Sequence, residues 1–235
     1  MNKRCWLLAA GCCLFPIAAA ADSTTVEKTR VPPEGAGVSS RPWWFGAWAG
    51  AATHSPFETR HGHRNRDFYI AAIRVGRELD TSRRYAYDYF VEIIPLLRQT
   101  NIPVEYREVV TCGPGGSSCS TKTVMVTETA RGFGVTPLGL QVRVFPSSRF
   151  HLAFGLSMGV VLYDSPVPDP EEKRLNFMGD ISAGVQMRVG RASNLIAGLR
   201  QNHTSNGFTG PTNPGLDARV LYVGATRSLG RGLRR

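Results

Sequence analysis

Three residue types able to act as base, nucleophile and orienting acid fall between His203 and Asp217. The chain reads His203-Thr204-Ser205-Asn206-Gly207, then Pro211-Thr212-Asn213-Pro214-Gly215-Leu216-Asp217. An imidazole can take the proton of a hydroxyl, and a carboxylate can hold that imidazole in orientation. His203 and Ser205 are two apart, so on a strand they project from one face. The Gly/Pro/Asn-rich stretch before Asp217 reads as a turn, and a hairpin there returns Asp217 alongside.

That chemistry needs an element on each side of the turn. Segments of about ten residues alternate with period two, and no helix-period stripe of useful length interrupts them. In Phe150–Leu162 the even positions are Phe150, Leu152, Phe154, Leu156, Met158, Val160 and Leu162. In Leu175–Val189 the odd positions are mainly large and apolar, whereas the even ones include Asp180, Gln186 and Arg188. Leu138, Leu140, Val142 and Val144 share a third such face, opposite Gln141 and Arg143. Long strands with one greasy face, and with charges such as Asp180 and Arg188 on the other, fit a polar lumen inside an apolar wall. A soluble sandwich or lipocalin-like binder is the competing reading of the same alternation.

Eight strands are expected, at 43–53, 67–79, 84–97, 132–145, 149–163, 175–190, 192–203 and 217–229. Short connections follow strands two, four and six. Longer ones, 54–66, 98–131, 164–174 and 204–216, follow strands one, three, five and seven. This asymmetry predicts an all-β, eight-stranded antiparallel transmembrane β-barrel of the outer-membrane type, over residues 42–229. Trp43, Trp44, Trp48, Tyr85, Tyr87 and Tyr89 are candidates for interfacial girdles. On strand seven, His203 shares its parity with Leu195, Ala197, Leu199 and Gln201. That set is mostly apolar, so His203 and Ser205 are expected to face lipid near the outer leaflet. Polar groups in that position call for a purpose.

The ends of the chain agree with export. Lys3-Arg4, an apolar run from Cys5 to Ile17 and Ala18–Ala21 form a signal peptide, 1–21. Leu8-Ala9-Ala10-Gly11-Cys12 is a poorer, lipobox-like alternative. A flexible leader, 22–41, and a basic tail, 230–235, flank the barrel. The formal charge of +10 falls to about +8 once the signal is removed. A basic exported chain suits an anionic surface such as lipopolysaccharide, and export argues against nucleic acid. Cys112 and Cys119 are the two cysteines outside the signal, and in an oxidising compartment they are expected to staple a loop tip as a disulfide. No metal ligands lie within sequence reach of them. His61 and His63 read as loop residues.

The segment His203-x-Ser205-Asn206-Gly207…Asn213-Pro214-Gly215-Leu216-Asp217…Gly224 resembles the lipid A 3-O-deacylase family of outer-membrane enzymes. Gly132-Phe133-Gly134-Val135-Thr136-Pro137-Leu138-Gly139-Leu140 and Pro166-Val167-Pro168…Asn176-Phe177 are also similar to that family, and the likeness runs over about 43–229. The resemblance implies an eight-stranded barrel with its site on the lipid-facing wall. It implies hydrolysis of the acyl ester at position 3 of lipid A, without metal or cofactor. Carried over, Ser205 is the nucleophile, His203 the base and then acid, and Asp217 stands where the family has Glu. Asn206 is expected to stabilise the oxyanion or shape the site, and Asn213 to do the same or shape the turn. The chain departs from outer-membrane barrels in ending on Leu229-Gly230-Arg231-Gly232-Leu233-Arg234-Arg235 rather than on an aromatic residue. The alternative to an esterase is a non-catalytic structural or adhesin-like barrel.

Overall fold

The alternating segments close on themselves. In the computed structural model, which describes residues 41–59, 62–114, 116 and 118–229, eight antiparallel strands form a closed barrel in sequential order. They are β1 (Trp43–Thr59), β2 (Gly62–Thr81), β3 (Tyr85–Cys112), β4 (Cys119–Val144), β5 (Phe150–Tyr163), β6 (Leu175–Arg188), β7 (Ser193–Ser205) and β8 (Leu216–Ser228). Pairing of β1 with β8, from Trp44 opposite Ser228 to Ala51 opposite Leu221, closes the cylinder and leaves no open edge over that span. The segments expected to form the signal peptide, the leader up to residue 40 and the basic tail lie outside the described residues, as does His61, and His63 is on β2.

Parity sorts the side chains as the alternation predicts. Phe150, Leu152, Phe154, Leu156, Met158 and Leu162 of β5 point outward, as do Leu175, Phe177, Ile181 and Val185 of β6. This belt is the hydrocarbon-facing wall of an outer-membrane barrel. The opposite faces fill the lumen, which eight strands leave just wide enough for side chains. Glu92 is its hub. It accepts hydrogen bonds from Arg74, from Trp48 Nε1 at 2.7 Å and from Thr136 Oγ1 at 3.2 Å, and it pairs with Arg200 at 3.4 Å. Arg200 lies 3.9 Å from the Trp48 ring centroid and also pairs with Asp180. Phe68, Ile94, Leu97, Ile102, Tyr163 and Leu216 add a buried apolar cluster. The lumen is therefore a packed core in which charges persist because each has a partner.

Three expectations change. Trp44 and Trp48 take the inward parity and belong to the core, so of the six girdle candidates Trp43, Tyr85 and Tyr87 are the exposed ones. Arg188, expected within a strand running to residue 190 and facing the lumen, is exposed at the strand's end. It donates to the carbonyls of Pro146 and Ser147, tying down the short β4–β5 turn. The segments 54–66 and 98–131 are largely strand rather than loop. β1 and β2 pair out to Thr59 and Gly62, and β3 and β4 pair out to Cys112 and Cys119, where a disulfide closes the hairpin. Residues 105–112 are almost wholly exposed, so no burial imposes an apolar period on them. Register shifts near Gln99 and Pro103 break the alternation further.

Candidate active site

β7 and β8 bring the first pair together. His203 and Asp217 are direct cross-strand partners. Such partners have Cβ atoms about 5 Å apart, so even the shorter acid reaches the ring. Asp217 Oδ1 lies 3.0 Å from His203 Nδ1. Gln201 Nε2 donates to the same carboxylate oxygen at 3.4 Å. From inside the barrel, Arg66 donates to the Asp217 carbonyl at 2.8 Å. The acid is thus held by its side chain and by its backbone.

Orientation follows the strand parity. The β7 positions Leu195, Ala197, Leu199, Gln201 and His203 are exposed, whereas Ile196, Arg200, Asn202 and Thr204 are buried in the lumen. His203 and Asp217 keep side-chain exposures of 53% and 61% on the outer wall. Ser205 is half-buried on the same face. His203 and Ser205 both line a groove of about 470 Å³ whose other walls are almost entirely apolar, including Val135, Leu138, Met158, Val160 and Phe177. No hydrogen bond joins Ser205 to His203 among the described residues. Catalytic hydrogen bonds commonly tighten only when substrate is bound.

Two glycines shape the surroundings of the imidazole. A Cβ on Gly215 would sit 2.4 Å from His203 Cε1, so the bare backbone of the turn packs directly on the ring. Gly179, opposite His203 on β6, has open space where a side chain would be. The ring is thus braced from the turn side and open toward the groove. Sequence reasoning passed over Gly215, Gly179 and Gln201, although the first belongs to the Asn-Pro-Gly-Leu element itself.

Asn206 is engaged within its own loop. Its amide donates to Glu172 and to the Thr212 carbonyl at 2.7 Å, and its Oδ1 accepts from Phe208 N at 2.9 Å. Both Nδ2 hydrogens are spent inside the loop, so the side chain has none left for an oxyanion. These bonds hold the loop, and shaping the site is one of the two roles expected of this residue. Glu172, on the 164–174 connection, also accepts from the Thr212 hydroxyl and from Thr212 N at 3.2 Å. This buried carboxylate clamps the segment after Ser205 to the neighbouring loop, and no motif announced it. Asn213 is half-buried, with an Oδ1 that has no hydrogen-bond partner. No group of three or more His, Cys, Asp or Glu among the described residues is placed to hold a metal ion.

No curated protein matches the chain. Among solved structures it is similar to the outer membrane enzyme PagL, at 13% identity over 77% of this chain and 97% of that one, with a TM-score of 0.46. It is also similar to Neisserial surface protein A, at 12% identity over 79% and 96%, with a TM-score of 0.44. The outer membrane protein AlkL follows at 14% identity over 89% and 100%, with a TM-score of 0.38. Over residues 115–226, which hold β4 to most of β8 together with His203, Ser205, Asn206, Asn213 and Asp217, the chain matches the family of lipid A 3-O-deacylase (PagL).

Proposed function

We propose that this chain is an outer-membrane serine esterase that hydrolyses the 3-O-linked acyl chain of lipid A. The observation that carries the reading is the Asp217-bound imidazole of His203, facing lipid beside Ser205 in an apolar groove. An acyl chain of a membrane glycolipid can lie in that groove without leaving its leaflet.

The roles follow from the hydrogen bond. Asp217 on Nδ1 favours the tautomer that carries its proton there, leaving Nε2 free as a base. As the Ser205 hydroxyl attacks the ester carbonyl, its proton passes to Nε2, and Asp217 stabilises the resulting imidazolium. Collapse of the tetrahedral intermediate breaks the acyl–oxygen bond. The Nε2 proton goes to the departing sugar hydroxyl, leaving an acyl-serine. Water, deprotonated by His203, then releases the fatty acid and restores Ser205. With the Asn206 amide engaged in the loop, backbone N–H groups after Ser205 are the candidates for holding the oxyanion.

The test is the mass of lipid A from cells expressing the parent, Ser205→Ala or His203→Ala protein. The parent is expected to remove one 3-hydroxyacyl chain, and both variants to remove none while keeping the heat-modifiable migration of a folded barrel. Unchanged lipid A with the parent leaves the non-catalytic barrel as the answer, and release by both variants at the parent's level rejects Ser205 and His203 as the residues that do the chemistry.

A further inference from the structure

The outer wall is not symmetric about His203. On the β6 side it stays apolar past the level of the imidazole. Gly179 pairs with His203 and Phe177 with Ser205, and Phe177 and Leu175 both point outward. On the β8 side the wall is polar at and below that level. Asp217 pairs with His203, and Arg219 pairs with Gln201. The next outward residues are Leu221 on β8, Leu199 on β7 and Ala51 on β1, with Leu221 paired to both of the others. Three adjacent strands therefore change from polar to apolar at one height. An arginine facing lipid costs about 2–4 kcal/mol at mid-bilayer and near nothing at the interface. That places Arg219 at headgroup depth.

This polar stretch is a groove. Thr53, His54, Ser55, Pro56, Gln201, Asp217 and Arg219 line a depression of about 530 Å³. The backbone is bent to make it. The β1–β2 register shifts between Ala52 and Ser55, and His54 has a left-handed φ of 54°. The bulge turns both Thr53 and His54 outward, and the Asp67 carboxylate fixes it by accepting from His54 N at 3.1 Å. Bulges commonly re-aim a side chain in this way. The charges are unequal in availability. Asp217 Oδ1 already accepts from His203 and Gln201, whereas no carboxylate among the described residues pairs with Arg219.

The His203–Asp217 pair thus stands between an apolar groove and a polar one whose guanidinium pairs with no carboxylate among the described residues. The ester of an acylated, phosphorylated sugar has the same order, with hydrocarbon on one side and an anionic headgroup on the other. We propose that the groove of His54, Gln201 and Arg219 binds the phosphorylated sugar headgroup of the lipid whose ester lies at Ser205, with Arg219 taking the phosphate. The assignment rests on the esterase reading for the identity of the lipid. A guanidinium offers phosphate two parallel donors, which a neutral side chain cannot replace.

The test uses full-length Ser205→Ala protein in detergent micelles. Its affinity is measured for bis-phosphorylated lipid A and for the same lipid after chemical removal of both phosphates. A charged hydrogen-bonded contact predicts about a tenfold or greater preference for the phosphorylated form. That preference is expected to shrink as salt is raised. Adding Arg219→Gln is expected to remove most of it, Arg219→Lys to retain part of it, and His54→Ala to weaken it less than Arg219→Gln. Heat-modifiable migration establishes that each variant is folded. Equal affinity for the two lipids, binding of neither, or an undiminished preference in the Arg219→Gln protein overturns the proposal. A parent protein that releases no fatty acid, with the preference intact in Ser205→Ala, removes the esterase reading and leaves the headgroup site standing.

Discussion

Gly215→Ala tests whether the position of the imidazole, and not merely its presence, sets the rate. The added methyl would lie 2.4 Å from His203 Cε1, 3.2 Å from Nε2 and 3.3 Å from Nδ1. Ordinary contact begins near 3.4 Å, so the ring must move by about 1 Å. Its bond to Asp217, now 3.0 Å, would stretch to about 4 Å, beyond hydrogen-bonding range. A displacement of about 1 Å in a catalytic group costs on the order of 10²-fold, or about 2.7 kcal/mol of barrier. The turn lies on the outer face and its glycine has an ordinary φ, so the barrel itself should be unaffected. The measurement is the initial rate of 3-hydroxy fatty acid release from lipid A, with the urea midpoint of the gel-shift transition as the stability control. The expected result is a kcat lower by about two orders of magnitude with an unchanged midpoint. Gly179→Ala places its methyl in open space beside the same ring and should retain most of the rate. A Gly215→Ala protein with the parent kcat would refute the assignment of His203 as the working base.

Other outcomes follow from the core and the loops. Glu92→Gln removes the carboxylate between Arg74 and Arg200. It leaves buried Arg74 without a carboxylate and Arg200 with Asp180 alone, and should cost about 3–5 kcal/mol, read as a lower urea midpoint. Glu172→Ala releases Asn206 and Thr212, each such buried partner being worth about 1–3 kcal/mol. It should lower kcat and speed proteolysis of the 206–215 loop without moving the barrel's midpoint. The double change Cys112→Ser with Cys119→Ser opens the tip of the β3–β4 hairpin, far along the strands from His203. It should hasten protease cleavage there and leave fatty acid release unaltered.

The sequence by itself determined the barrel, its strand number and the wall on which His203 and Ser205 stand. Side-chain direction in a strand has period two, and a one-residue slip would turn every apolar side chain of β5 or β6 into the lumen. Alternation therefore encodes inside and outside along one strand. It does not encode what lies across from it. That Asp217 reaches the imidazole depends on the β7–β8 register, and that Gly215 braces the ring depends on how the turn folds back. The Asn206–Glu172 clamp joins residues 34 apart, and Arg219 gains its meaning from the bulge on β1, at the other end of the chain. Solvated segments were equally opaque, because the extended β3–β4 hairpin buries almost nothing and so carries no apolar period. The tertiary structure decided these because each contact is set by register and closure between strands.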